Sequence, residues 1–159
     1  YAKGVPMGGD LRAARTGQVP TFVIAAMKDP MGANLDRVQV IKGWIDSAGK
    51  THEQIYNVAW SDPARRKLAG GKLPLVGVTV DLTTATYKNS IGATQLAGRF
   101  PDPNFVSKQR AFYYVRVLEI PTPRWTAYDA VKFKVKMSAE VPMKHQERAA
   151  SSPIWYNPA

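Results

Sequence analysis

The stretch Gln109-Arg110-Ala111-Phe112-Tyr113-Tyr114-Val115-Arg116-Val117-Leu118-Glu119-Ile120-Pro121-Thr122-Pro123-Arg124-Trp125 decides the fold. From Arg110 to Glu119 it is rich in aromatic and β-branched residues, which suit a pleated surface. The two prolines that follow cannot donate to a ladder and so end the strand. Phe112, Tyr114 and Leu118 fall on one face, and Tyr113, Val115 and Val117 on the other. With both faces apolar, this strand is expected at the centre of a sheet, covered on both sides.

Upstream, Arg37 to Asp46 alternates until Lys42 and slips at Gly43, where a β-bulge is expected. The polar turn Asp46-Ser47-Ala48-Gly49-Lys50 leads into Thr51 to Trp60, in which Gln54, Tyr56, Val58 and Trp60 share a face, so the two runs predict a hairpin. Thr21 to Met27 is a compact apolar run stopped by Lys28-Asp29-Pro30-Met31-Gly32 and reads as a buried strand. Gly4 to Leu11 reads as a short first strand or a lead-in.

Ser61 to Pro74 carries Asp62-Pro63, Arg65-Arg66-Lys67 and Gly70-Gly71 and reads as an exposed loop. Val76, Val78, Val80 and Leu82 alternate with Gly77, Thr79 and Asp81, predicting a half-buried strand. Thr83 to Ser90 is turn-like, Ala93 to Phe100 is expected antiparallel to that strand, and Pro101-Asp102-Pro103-Asn104 closes the unit. Beyond the central strand, Thr126 to Lys132 supports a helical turn capped by Thr126, whereas Lys132 to Met137 alternates as an edge strand with a lysine face would. The preferred reading is the helical turn running into an extended segment. Ser152 to Tyr156 is a last short strand.

Seven or eight short strands with Gly/Pro-rich connections, and no long helical period between them, predict an all-β antiparallel sandwich with long loops and at most one short helix. Residues 1–20 are assigned to a lead-in and first strand, and 21–159 to a single sandwich domain. Tyr113-Tyr114-Val115-Arg116-Val117 resembles the Tyr-x-Val-x-Val penultimate strand of fibronectin-type-III and other immunoglobulin-like domains.

A chain of 159 residues can bury about 68–70% of the surface its unfolded form exposes, enough for one full core. No apolar run approaches the roughly 20 residues that cross a bilayer, so no membrane span is expected. Cysteine is absent, which excludes disulfides, a thiol nucleophile and thiolate metal sites. The chain opens at Tyr1 without an initiator Met or a charged-then-apolar leader, which leads to the expectation of a module cut from a longer polypeptide. The formal charge of +10 raises the question of a polyanionic partner. Its carriers, among them Lys3, Arg12, Arg15, Arg65-Arg66-Lys67, Lys72 and the trio Lys132, Lys134 and Lys136, are scattered and suit solvated surface better than a nucleic-acid footprint.

Chemistry-bearing residues are sparse. A metal site needs three convergent ligands, and only His52 and His145 are available beside carboxylates such as Glu53 and Glu147, so both are read as exposed turn residues. No Gly-x-Ser-x-Gly elbow is present, and neither Gly8-Gly9 nor Gly70-Gly71 leads into a helix that would hold phosphate. Glu119, ending the central strand near Arg110, Arg116 or Arg124, is read as a structural ion pair or a hydrogen-bonded strand end rather than a functional pair. Trp44, Trp60, Trp125 and Trp155 offer faces on which sugars or bases could stack. Three lie in expected strands and are read as packing residues; Trp125, displayed after Pro121-Thr122-Pro123, is expected to be exposed.

The segment from Gln109 to Ala130 closely resembles the C-terminal part of a bacterial family of unknown function. Three further segments match in order: Gly4 to Leu11, Val40 to Asp46 running to Lys50-Thr51-His52-Glu53, and Gln146 to Ala149 with Ser151 to Tyr156. Longer members look like exported or envelope proteins and carry an N-terminal region similar to the polymerase-and-histidinol-phosphatase (PHP) metallo-hydrolases. The metal ligands of that region have no counterparts here, and Lys132 to Lys136 is more basic than the family pattern. The resemblance therefore implies a periplasmic or secreted, non-catalytic module without a cofactor of its own, packed on a missing catalytic domain. Arg110, Arg116, Glu119, Arg124 and Trp125 are the residues expected to face that domain or fix the strand end. An independent module for carbohydrate or an anionic polymer is the alternative expectation.

Overall fold

A computed structural model describes residues 4–12 and 18–158. Lys3 and Arg15, counted above among the scattered charges, lie outside the described residues. The main sheet contains β1 (Asp10–Leu11), β3 (Leu35–Ile45), β4 (Thr51–Trp60), β6 (Ala111–Glu119), β9 (Arg148–Ala150) and β10 (Ile154–Tyr156). Its order is β1-β10-β6-β3-β4, with β9 also pairing β6. All its pairs are antiparallel except β1 with β10, which is parallel. The quoted stretch thus forms an interior strand, as its composition requires. Its neighbours are β3 on one side and the broken C-terminal strand β9/β10 on the other.

A two-stranded antiparallel ribbon, β2 (Thr21–Met27) with β5 (Gln95–Pro101), packs on one face of this sheet. Phe22, Ile24, Leu96 and Phe100 of the ribbon meet Val38, Val40, Ala111, Tyr113 and Tyr156 of the sheet in one apolar core. The result is a mostly β, sandwich-like fold with open sheets. It has one short helix, α1 (Trp125–Phe133), whose two ends are bracketed by a small antiparallel pair, β7 (Thr122–Pro123) with β8 (Lys144–His145). No helix of the described residues is long and apolar enough to cross a membrane.

Several expectations are corrected. The strand Thr21 to Met27 exists but is not buried: Phe22 and Ile24 point into the core while Val23 and Met27 are exposed, because the ribbon is covered on one side only. Likewise β6 is sealed on the core face by Tyr113, but Phe112, Tyr114 and Leu118 on the other face are half-buried. Gly43 sits in regular pairing. The bulge lies instead at Val58, the extra residue between Asn57, paired with Gln39, and Ala59, paired with Val38. This turns Trp60 away from the face carrying Tyr56, and its indole Nε1 donates to the Arg66 carbonyl at 2.7 Å.

Val76 to Leu82 forms no strand. The ladder groups of Gln95 to Pro101 are taken by β2 and those of Ala93 by Leu35, leaving 76–82 only an isolated bridge from Asp81 to Thr86. Gly77 is in the left-handed region at φ 98°, which breaks the extended run. Past the prolines, α1 is a true helix preceded by Arg124 in extended conformation without a side-chain cap. Thr126 does not cap it; its buried Oγ1 donates to the Pro142 carbonyl at 2.6 Å. Lys134, at φ 53°, closes the helix, and Val135 to Met137 pairs with no strand.

Candidate functional site

Two buried ionic clusters hold the domain together. Lys42 on β3 and Asp102 just after β5 are each 2% exposed, with Nζ to Oδ2 at 2.6 Å. The Tyr113 hydroxyl donates to the same Oδ2 at 2.7 Å, the Asn104 backbone N–H donates to Oδ1 at 3.0 Å, and Lys42 Nζ also donates to the Asn104 carbonyl at 2.8 Å. Burial, and then the hydrogen bond to Asp102, push the Tyr113 hydroxyl far above its ordinary range. The set clamps the ribbon to the sheet. From the sequence, Lys42 is only a position in an alternating run and Asp102 part of the segment that closes a unit.

The second cluster centres on Asp36, which is fully buried. It accepts from Arg66 Nη2 at 2.6 Å, Arg37 Nε at 2.9 Å and Gln146 Nε2 at 3.0 Å. The Arg65-Arg66-Lys67 run is therefore not a uniform solvated tip: Arg65 and Lys67 are exposed, whereas Arg66 is buried and also bonded to Ser61 and Pro74.

The residues singled out from the sequence do not form one site. Arg110 precedes β6 and Glu119 ends it, so the two are separated by roughly 30 Å at the rise of an extended strand. Among the described residues Glu119 forms no ion pair with Arg110, Arg116 or Arg124, and of the two structural readings the hydrogen-bonded strand end remains, its N–H donating to the Glu147 carbonyl at 3.1 Å and its own carbonyl accepting from Gln146 Nε2 at 2.8 Å. It lies against the Gly32 turn, and burial followed by the nearby Glu147 raises its carboxyl above the usual range. Arg116 donates from Nε and Nη2 to Gln39 Oε1 at 3.0 and 2.8 Å.

Arg124 and Trp125 do sit together, at the entry to α1. The Arg124 Nε is buried and has no hydrogen-bond partner among the described residues. Trp125 is 62% exposed, and one turn on, Tyr128 is 49% exposed. With 3.6 residues per turn, Trp125, Tyr128 and Lys132 share one stripe, while Thr126 and Ala127 are buried. The helix thus turns small side chains toward its own domain and large aromatic ones away from it. Beside the stripe, Val131 and Val135 border a shallow groove shared with Leu82 and Thr83. Lys132, Lys134 and Lys136 ring the patch in exposed positions.

A separate cleft of about 650 Å³ opens at the other end of β6. Trp44, His52, Arg110, Phe112 and Trp155 are among its lining residues. Trp44 stacks on His52 at 5.3 Å, and Phe112 lies 5.4 Å from Trp155. The His52 Nε2 is 2.7 Å from Asp46 Oδ2, and this hydrogen bond, with that from Lys50 N–H, lowers the Asp46 carboxyl. Phe112 rests on Gly43, where an added Cβ would come 2.3 Å from the Phe112 ring. That is why a glycine interrupts the strand.

A family model described as protein of unknown function (DUF3604) matches residues 1–158. The chain belongs to this family. No curated protein and no solved structure matches it. The segments that carry the family resemblance are gathered along β6 and its neighbours. Gly8 N–H donates to Pro153 O and Trp155 N–H to Gly9 O, each at 3.1 Å, joining the first segment to the last. Gly43 to Ile45, Thr51 to Glu53 and Trp155 line the cleft, and Pro121 to Trp125 leads into α1. The two histidines stay apart from any metal set: His52 pairs with Asp46 and His145 with Glu147 at 3.0 Å, and among the described residues no group of three His, Asp or Glu side chains converges.

Proposed function

We propose that this domain is a non-catalytic module, an immunoglobulin/fibronectin-III-like sandwich, that docks through α1 onto another domain of its own polypeptide. The observation that carries the reading is the orientation of the helix, which presents Trp125 and Tyr128 to solvent and buries Thr126 and Ala127. Aromatic anchors at the centre of a patch with a charged rim are what a docking surface needs.

The partner that fits the family resemblance is a PHP-like metal-dependent hydrolase domain of an exported protein. The reaction belongs to that domain. This one needs no cofactor and stabilises or completes its neighbour. Of the residues expected to face the partner, Arg124 and Trp125 carry the contact in this reading, Glu119 and Arg116 fix the end and outer face of β6, and Arg110 lies away from it.

The test is the double variant Trp125→Ser with Tyr128→Ser, made both in this domain alone and in the polypeptide that carries the hydrolase-like region. The domain alone should unfold as before, because both side chains are exposed. The longer polypeptide should change from one cooperative unfolding transition to two. A longer variant that still unfolds in a single unshifted transition contradicts the reading.

A further inference from the structure

We propose that the cleft at the Arg110 end of β6 binds a pyranose ring carrying a carboxylate, that is, one unit of an acidic glycan. The cleft volume of about 650 Å³ suits a ligand of this size. Trp155 is 47% exposed and presents its ring there. Phe112 beside it is held in place by Trp155 at 5.4 Å, by Tyr114 at 6.4 Å and by the bare backbone of Gly43 beneath it. The panel is therefore rigid before a ligand arrives, and little side-chain entropy is lost on binding. A sugar ring has an apolar C–H face that an aromatic panel of this kind accepts.

The polar groups set the ligand's charge. Arg110 is exposed, and among the described residues its side chain makes no ion pair and no hydrogen bond. A guanidinium is a planar fork that matches a carboxylate in a bidentate way. On the far side of the panel Glu53, in register with Gly43 and Phe112, is exposed and can accept from ring hydroxyls. The single free cation among the described residues of the cleft also argues against a nucleic acid, whose run of phosphates is held by several Lys or Arg side chains. An apolar peptide would leave both charges desolvated without partners.

The site is distinct from the α1 face, so the two proposals fail independently. The probes are tri-galacturonate, a hyaluronan tetrasaccharide and a tri-guluronate, titrated against tryptophan emission of the wild-type domain, with the methyl ester of tri-galacturonate as the neutral control. At least one acidic probe should give a saturable change. Trp155→Ala and Arg110→Gln should each weaken it about tenfold, the scale of a lost stacking contact or a lost charge-assisted pair. Trp125→Ala should leave it unchanged. If tri-galacturonate is the ligand, its ester should bind about tenfold more weakly. Silence with all three acidic probes overturns the proposal. So does binding that survives both cleft variants, or tri-galacturonate binding matched by its ester.

Discussion

Lys42 Nζ lies 2.6 Å from Asp102 Oδ2, with both side chains withdrawn from water and the Tyr113 hydroxyl bonded to the same oxygen. Sixty residues of chain separate the two, so the pair ties the start of the β5–β6 connection to the middle of β3. Removing either partner leaves a buried, uncompensated charge. Asp102→Ala and Lys42→Ala should each lower unfolding free energy by about 3–5 kcal/mol, and Lys42→Met with Asp102→Leu by much less. Urea unfolding of the three variants checks this; a single variant as stable as wild type refutes the clamp.

Gly43→Ala tests why a glycine interrupts an otherwise regular strand. The new methyl would overlap the Phe112 ring, and overpacking of this kind costs about 1–3 kcal/mol. The cost should shrink when Phe112→Ala is made in the same chain, so that the double variant loses less than the sum of the singles. Strict additivity would show that Phe112 does not rest on Gly43.

The Arg65-Arg66-Lys67 run offers an internal control. Arg66→Ala should destabilise by about 3 kcal/mol because it leaves the buried Asp36 Oδ1 without its cation, Arg37 and Gln146 holding only Oδ2. Arg65→Ala and Lys67→Ala should stay within about 0.5 kcal/mol of wild type. Equal effects at all three positions would mean that Arg66 is solvated like its neighbours.

Glu119 supplies a pH signature. Its carboxyl is raised above the ordinary 4.5 by burial and by Glu147, so ionising it opposes folding. Its unfavourable contribution grows as pH rises through the raised folded value, and it vanishes below the ordinary value, where both states are protonated. Glu119→Gln should therefore melt higher than wild type at pH 7, with the difference gone below about pH 4.5. A variant that melts lower at pH 7 would show that Glu119 is held by a favourable ion pair instead.

The central strand, the β3–β4 hairpin, the run at Thr21 and the last strand at Trp155 were all legible, because apolar period and turn chemistry are local signals. So was the exposure of Trp125, displayed by the two prolines before it. What escaped was non-local. Val76 to Leu82 alternates like a strand but has no partner, since β5 pairs with β2. Gly43 looked like a bulge because its reason, the Phe112 ring, comes from another strand. Arg66 looked like surface charge, Lys42 like one position in an alternating run and Asp102 like part of a closing turn, and only tertiary contact converts them into clamps. The candidate docking face was half legible: Trp125 announced itself, whereas the inverted stripe needed the register of α1, which Thr126 as an imagined cap had set wrongly.

The central claim is that the aromatic stripe of α1 is covered in the complete polypeptide. Hydroxyl-radical footprinting of Trp125 and Tyr128 measures this without altering the protein, comparing the isolated domain with the polypeptide that includes the hydrolase-like region. The account predicts that both side chains react readily in the isolated domain and lose most of that reactivity in the longer polypeptide, while Trp155, exposed at the other end of the sheet, reacts alike in both. Equal reactivity of Trp125 and Tyr128 in the two forms would contradict it.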